Sequence, residues 1–527
     1  MSNAADLHEK ARRASHTKAE LERHTSVEKT AVGVSVSAVD DTELADAEDA
    51  ILAESEFTKE EYRRLVWKID LILMPILMIL YGLQYSDKTS LSSGVVFGLV
   101  KDTHLVGNQY ANLTSFFYMA YGVAQIPMGY LMQRFPLGRA LSVCIVLWGG
   151  MVMLLAACNN YAGLAAVRTF LGWFEAVVTP GFAVLTASWY LRSEQTLRQG
   201  MYYAMNTFFG IIFGIGIYFL ALNAETHGGL AAWRVINLFL GGTTVGMGFV
   251  AFAFIGTPSE VWWLSKREKR MAHARIVQNA TGGGEQHPWK WDQVRECLRD
   301  RQFYHAILYN FLSCVPNGGL GAFQTLIFKS LGFTSLQAIL YQQPSNAIGC
   351  VTIIVSATTV RYCPRMRFPI ALVCQFIPMF SFLFTGLGSH LDRWARWAVF
   401  SFVSVFAVST FMVWPLLTVN IAGRTKKSFF AAISLLSYCV GNIVGSQIFI
   451  PKDAPLYLHG MTACAIVMAV NAVNLALWWR YYVTTNRSRE AAFQTSGLSD
   501  EDRAHETRIA GETDMTDKQN PHFRYYC

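Results

Sequence analysis

The sequence predicts an all-α membrane protein: twelve transmembrane helices in two six-helix halves, with both termini cytoplasmic. Three observations carry this. Of the 527 residues, 52% are apolar and only 15% charged, against about 25% charged in a soluble domain. The apolar residues gather into runs long enough to cross the roughly 30 Å hydrocarbon core as helices. The runs come as six, then a polar stretch, then six more.

In chain order, residues 1–57 read as a disordered cytoplasmic tail, rich in Ala, Ser, Glu, Asp and Lys and without apolar periodicity. Thr58 to Glu61 has the form of a capping box that opens the first helix. The N-terminal six-helix half, 58–256, holds apolar runs at 68–97, 107–132, 139–158, 161–189, 199–222 and 233–256. The central loop, 257–302, is predicted to contain an amphipathic helix from Pro258 to Gln278. Val261, Trp262, Leu264 and Met271 set an apolar face against a basic one, a pattern suited to the inner membrane surface. Thr281 to Gly284 ends that helix, and a second short helix starts near Trp291. The C-terminal half, 303–482, holds runs at 303–331, 336–360, 368–388, 396–422, 429–450 and 460–482, and a cytoplasmic tail follows over 483–527.

Loop charge sets the orientation. Arg134, Arg139, Arg192, Arg198, Arg361, Arg365, Arg367, Arg424, Lys426 and Lys427 fall on the side shared with the basic central loop. The opposite loops hold only Lys101, Lys329, Arg393, Arg396 and Lys452. By the positive-inside rule the first side is cytoplasmic. The net charge of +7 is therefore topology rather than a nucleic-acid footprint. Ten cysteines without a CxxC pair or metal-ligand spacing support neither a disulfide framework nor a zinc site. No cofactor is implied, and no signal peptide precedes the first run.

The chemistry lies in the few ionisable residues inside the runs. Each costs about 2.5–3.5 kcal/mol near the bilayer centre on insertion scales, and such groups line bundle interiors, water-filled paths or proton relays. Arg168 and Glu175, two helical turns apart, share one face with Gly172 and Thr179. Arg168 suits bidentate capture of a substrate carboxylate, or else forms a structural ion pair with Glu175 or Asp87. Glu175 is a candidate proton carrier, freed to protonate when substrate captures Arg168, or else a permanently ionised partner of Arg168. Asp87 and Lys88 follow Gln84 within a turn of the first run. Lys88 can attract an anion and Asp87 carry a proton, or the two neutralise each other. In run seven Asn310, Asn317 and Gln324 form a stripe at seven-residue spacing beside Gly318, Gly319 and Gly321, which allow bending or close packing. Gln342, Gln343 and Asn346 flank Pro344, and Asn442 and Gln447 lie in run eleven. Such amides line a pathway or tie helices together at about 0.6 kcal/mol each. Gly210/Gly214 and Gly441/Gly445 are small-xxx-small pairs that fit helix packing. His104, His227 and His459 fall in or near outward loops, solvated or sensing external pH.

Several strings give this a family context. They are LQYSDKTSL (83–91), KDTHLVGNQY (101–110), RTFLGWFEAVVTPGF (168–182), WYLRSEQTLRQG (189–200), NIAGRTKKSFFAAI (420–433), GNIVGSQIF (441–449) and DAPLYLHG (453–460). With them the chain resembles the major facilitator superfamily and, within it, the fungal allantoate permease family of anion:cation symporters, over about 57–490. Gly129, Arg134, Gly138 and Arg139 sit where that superfamily carries its gating loop, with Gln133 in place of the usual Asp. Gly445-Ser446-Gln447 stands where the family more often has Gly-Pro-Gln. The resemblance implies proton-coupled import of a small organic anion: allantoate, ureidosuccinate, a nicotinate-like or other carboxylate. For that activity the residues singled out above supply the candidates: substrate contacts from Arg168, Lys88, Gln84, Asn317, Gln324, Asn346, Asn442 and Gln447, and proton coupling through Glu175 and Asp87. The resemblance also implies a monomer in the plasma membrane, with the anion, protons and the lipid bilayer as partners and no nucleic acid. The alternatives are proton-coupled efflux of a drug or secondary metabolite, and a non-transporting nutrient sensor of the same fold. Span five lacks the Gly-Pro-x-x-Gly-Gly turn common in drug antiporters of the superfamily, and no nucleophile–base cluster suggests an enzyme.

Overall fold

The computed structural model describes residues 57–277, 289–388, 390–496 and 514–527, and its regular structure there is entirely helical. The expected N-terminal tail and the glycines at 282–284 lie outside these residues. Nine helices among the described residues are long and apolar enough to cross a membrane.

The first, α1 (Lys59–Val96), begins nine residues before the apolar run because the capping box forms. Thr58 Oγ1 accepts from the Glu61 amide, and the Glu61 carboxylate accepts from the Thr58 amide at 3.0 Å. After the single turn α2 (Leu99–Asp102) come α3 (Gln109–Arg134) and α4 (Leu137–Leu155). The fourth run is two helices, α5 (Tyr161–Glu175) and α6 (Val178–Trp189). Pro180 explains the break, since it has no N–H to give the Ala176 carbonyl one turn back. Gln125 Nε2 donates to that carbonyl instead, at 3.1 Å. Next are α7 (Arg192–His227) and α8 (Ala232–Phe254). Within this half α8 packs along α4, α7 along α1, and α5 between α3 and α4.

The central loop corrects the sequence expectation. Its helix α9 (Lys266–Val277) starts well after Pro258, because Ser265 and Glu268 form a second capping box. Residues 257–264 are turned instead, and the Glu260 carboxylate accepts from the amides of Leu137, Gly138 and Thr257. Val261, Leu264 and Met271 are buried as an apolar face requires, but Trp262 is 71% exposed, its Nε1 held by the Ala253 carbonyl. The basic face is partly turned into the protein. Arg275 is buried on Glu194, and Glu268 joins Lys68 of α1 at 2.8 Å.

The second half opens with α10 (Trp291–Leu298), the short helix expected near Trp291. It continues through α11 (Arg301–Ser330), α12 (Ser335–Tyr362), α13 (Arg367–Leu387) and α14 (Arg393–Phe400), the last joined by a 3₁₀ turn to α15 (Phe406–Val419). It ends with α16 (Arg424–Gln447) and α17 (Leu458–Ser496), which runs on past residue 482. Two of the three glycines of run seven serve close packing: a Cβ at Gly318 would strike the Asn442 backbone, and one at Gly319 the Phe449 ring, whereas Gly321 has open space beside it. Gly441 and Gly445 return the contact from α16, against the carbonyls of Phe311 and Val315. Between the halves, α1 meets α11, α3 meets α16 and α7 meets α12. Residues 514–527 fold back against the base of the second half.

Candidate functional site

The ionisable residues converge where α1, α4 and α5 meet. Arg168 is 3% exposed, Asp87 1% and Glu175 0%. The pairing differs from two of the three expected of the sequence, Arg168 with Glu175 and Asp87 with Lys88, whereas Arg168 and Asp87 do act on each other electrostatically. Glu175 Oε1 lies 2.9 Å from Lys88 Nζ, so the carboxylate's partner is Lys88 and not Arg168. Two turns separate Arg168 from Glu175 by about 10 Å along the axis, too far for direct contact on one helix. Asp87 and Lys88 do not neutralise each other either, because adjacent helical residues point in different directions. Asp87 Oδ2 accepts instead from Trp148 Nε1 of α4, at 3.1 Å.

What remains is a set of unsatisfied polar atoms. Arg168 Nε and Nη2, Asp87 Oδ1 and Gln84 Nε2 are all buried without a hydrogen-bond partner. Leaving such groups unpaired costs about 1–3 kcal/mol each, more when they are charged. A water or a polar ligand group would satisfy them. Gly172 keeps α5 close to α3 here, since a Cβ would run into the Phe117 carbonyl. Lys88 Nζ lies 6.0 Å and 5.9 Å from the ring centres of Phe117 and Tyr121, and Tyr118 and Tyr121 touch Tyr438 across the divide between halves.

The amide candidates are placed elsewhere and already engaged. Asn317 Nδ2 donates to Asn442 Oδ1 at 2.7 Å, and Asn442 Nδ2 to the Tyr438 carbonyl. Gln342 Nε2 donates to Gln324 Oε1 at 3.3 Å, and Asn346 Nδ2 to Gln343 Oε1 at 3.1 Å. Asn346, Gln342 and Gln343 face Tyr85, Thr89 and Ser93 of α1 around a small polar cavity. Gln447 Nε2 crosses between halves to Asn112 Oδ1 at 3.0 Å and Ser115 Oγ at 2.8 Å.

That crossing belongs to a closure at the end of the bundle remote from the central loop. Tyr110 donates its hydroxyl to the Ala322 carbonyl, and its ring packs on Phe323, which stacks on Phe449. The Thr325 amide donates to Ser92 Oγ, and Lys329 and Ser335 both donate to the Val96 carbonyl. His459, at the same end, sits 2.8 Å from Asp453 and is largely exposed. At the opposite end Arg134 and Arg139 are exposed and Gly129 is open. Gly138 is pressed against Ile255 and donates its amide to Glu260. Sequence reasoning missed Trp148 and Glu260. Trp148 reads as one more apolar residue, and Glu260 is a lone acid in a polar loop.

Comparison with known proteins agrees with this architecture. The sequence matches the Major Facilitator Superfamily over residues 77–446. A transporter of Schizosaccharomyces pombe whose activity is uncharacterised is 34% identical over 478 residues, covering 90% of both chains. The allantoate permease of Saccharomyces cerevisiae is 31% identical over 484 residues, 90% of this chain and 88% of that one. Among solved structures, the xylose transporter XylE from E. coli in a partially occluded inward-open conformation superimposes with a TM-score of 0.59. It is 13% identical and covers 77% of this chain and 97% of its own. A bacterial homologue of the human lysosomal transporter Spinster, inward-facing and unoccupied, gives 0.56 at 15% identity, covering 78% and 97%. At such identities these two likenesses concern the fold alone.

Proposed function

Because the chain belongs to the Major Facilitator Superfamily, and so is a multi-pass secondary transporter working by alternating access rather than an enzyme, we propose that it imports a small organic anion together with protons. In this reading the helical runs make twelve transmembrane spans in two six-helix halves, with both termini cytoplasmic, in a monomer of the plasma membrane. The closure joining the halves is then external, and the described state faces inward.

The observation that carries the reading is Arg168: a buried guanidinium with two donors unsatisfied, beside an unsatisfied oxygen of Asp87. A carboxylate bound in bidentate fashion satisfies that fork. Lys88 adds a second positive group at the edge of the site. Substrate that draws Lys88 away leaves Glu175 without its cation, and proton uptake then keeps a buried carboxyl neutral. Asp87, held by Trp148, is the second proton carrier. Gln84 offers an unsatisfied amide on α1, and Asn317, Gln324, Asn346, Asn442 and Gln447 reach the substrate only by exchanging the bonds they now make within the protein. The 31% identity to an allantoate permease supports allantoate, ureidosuccinate or another small carboxylate as cargo. Gly129, Arg134, Gly138 and Arg139 form the inner gating loop, with Glu260 on its helix terminus in place of an acid at Gln133.

A monovalent anion entering with two protons carries one net positive charge, driven by about 2.3 kcal/mol per 100 mV. The test is uptake of a labelled carboxylate panel by cells lacking their own allantoate-type permease, at several external pH values, with Arg168→Ala beside the wild type. Acid-stimulated uptake with an inward current, lost in the variant, supports the reading. Faster loss of label from preloaded cells, with no uptake, replaces import with efflux.

A further inference from the structure

We propose that the base of the second half is a recognition groove for the chain's own C-terminal segment, residues 514–527, which seats there as an exchangeable strap and fixes the start of α16. The contacts are those of a specific ligand. Asp517 is fully buried, and its carboxylate accepts from Lys426 Nζ at 2.8 Å, Gln302 Nε2 at 2.9 Å and the Tyr525 hydroxyl at 2.7 Å. Asp514 accepts from the Arg424 amide at 2.7 Å and from Lys290 Nζ at 3.0 Å. Two asparagines read the backbone of the strap in both directions. Asn420 bonds the amide and carbonyl of Tyr526, and Asn486 those of Tyr525. Arg489 donates to the carbonyls of Asp517 and Phe523, and the Tyr525 ring stacks on Tyr482 with centres 4.6 Å apart.

The partners come from α10, α11, α16, α17 and the turn between α15 and α16, all in the second half. That turn is where the strap acts. Gly423 has φ 90°, and its bare Cα faces Gln293 and Thr516, so a side chain there would collide with the seated segment. Asp514 caps the first amide of α16, a position where a negative group is favoured and an empty amide is not. The Ala422 amide points at Asp517 in the same way. Lys426 holds three carboxylates at once, Glu296 and Asp300 of the groove and Asp517 of the strap. The far end of α16 carries Ser446 and Gln447, which bond the first half. Seating the strap therefore sets the base of the helix whose tip closes the two halves together.

The test uses a chain ending at residue 513 and a labelled synthetic peptide of residues 514–527. The peptide is expected to bind the shortened chain and raise its melting temperature, but not to bind the intact chain, whose groove is filled. An Asp517→Asn peptide should bind at least about tenfold more weakly, the effect of losing one charge-assisted contact. Equal binding to both chains, or no binding with an unchanged melt, overturns the proposal. Should the shortened chain fail to fold, trypsin cleavage after Lys518 and Arg524 in the full-length protein decides. Cleavage at least about tenfold faster in Asp517→Asn than in wild type supports the strap, and equal rates sink it. Neither readout needs a transported substrate, so the strap and the anion reading fail separately.

Discussion

Replacing Arg168 with Lys keeps the positive charge but removes the planar fork. If a carboxylate binds there, uptake efficiency should fall about tenfold or more, chiefly through a raised KM, because a point charge makes one charge-assisted bond where the fork makes two. Trp148→Phe is the complementary change. It preserves most of the packing at a fully buried site but strips Asp87 of its donor. Loss of about 1–3 kcal/mol of stability is expected for a buried oxygen left bare, read as a lower melting temperature in detergent with uptake impaired. At this scale the sequence names the participants and not their partners. Arg168, Glu175, Asp87 and Lys88 are legible because charge is rare inside apolar runs. Their pairing is set by which way each side chain leaves its helix and by what α1, α4 and α5 bring opposite, and spacing along one helix cannot show that. Trp148 carries no signal at all until its ring nitrogen is seen facing a carboxylate.

Helices were the most legible level, since a run of apolar residues declares itself. Their ends follow polar chemistry and were less so. The Thr58 box was readable, and it lengthens α1 beyond its apolar run. The Ser265 box was equally present in the sequence, yet the apolar residues at 261, 262 and 264 suggested an earlier start. Ser265→Ala should cost about 1 kcal/mol at the start of α9, seen as faster hydrogen exchange across 266–270. Glycine pairing was also readable: Gly441 and Gly445 meet the backbone of α11 as small-xxx-small spacing suggests. Gly445→Val forces a branched side chain into the Val315 carbonyl. Overpacking of that kind costs about 1–3 kcal/mol, and a drop in melting temperature with reduced surface expression is expected.

For the whole molecule, the all-α, multi-spanning plan followed from the apolar runs, but the docking of residues 514–527 did not. Their partners lie far away in sequence, and a polar, charged segment after the last apolar run reads as tail. Asp514 offers a check. Partial burial pushes its carboxyl up, but the Arg424 amide, Lys290 and Gln293 outweigh this, and its seated value is lowered. A lowered value means the contribution to seating is complete above the ordinary carboxyl value of about 3.9. It is lost only as pH falls through the lower one. Protection of the strap, read by the peptide's affinity for the shortened chain, should thus be flat across the neutral range and fade below about pH 4. Closure between halves is a separate balance. Gln447→Ala removes two crossing bonds of about 0.6 kcal/mol each, so the closed population should drop several-fold, measured by spin-label distances across the outer ends of α3 and α16. The two ends of the molecule are also fastened by different forces. The seam remote from the central loop is made of neutral hydroxyls, amides, carbonyls and rings, with Lys329 on a carbonyl. The base is fastened by Lys68 with Glu268, Arg198 with Asp70 and Lys426 with its three acids. Dissolved ions screen exposed charges over roughly 8 Å at physiological strength and 3 Å at 1 M, reach buried pairs far less, and leave neutral contacts largely alone. Raised salt should accordingly loosen the part-exposed pair of Lys68 and Glu268 first, while the buried Lys426 cluster and the neutral seam hold.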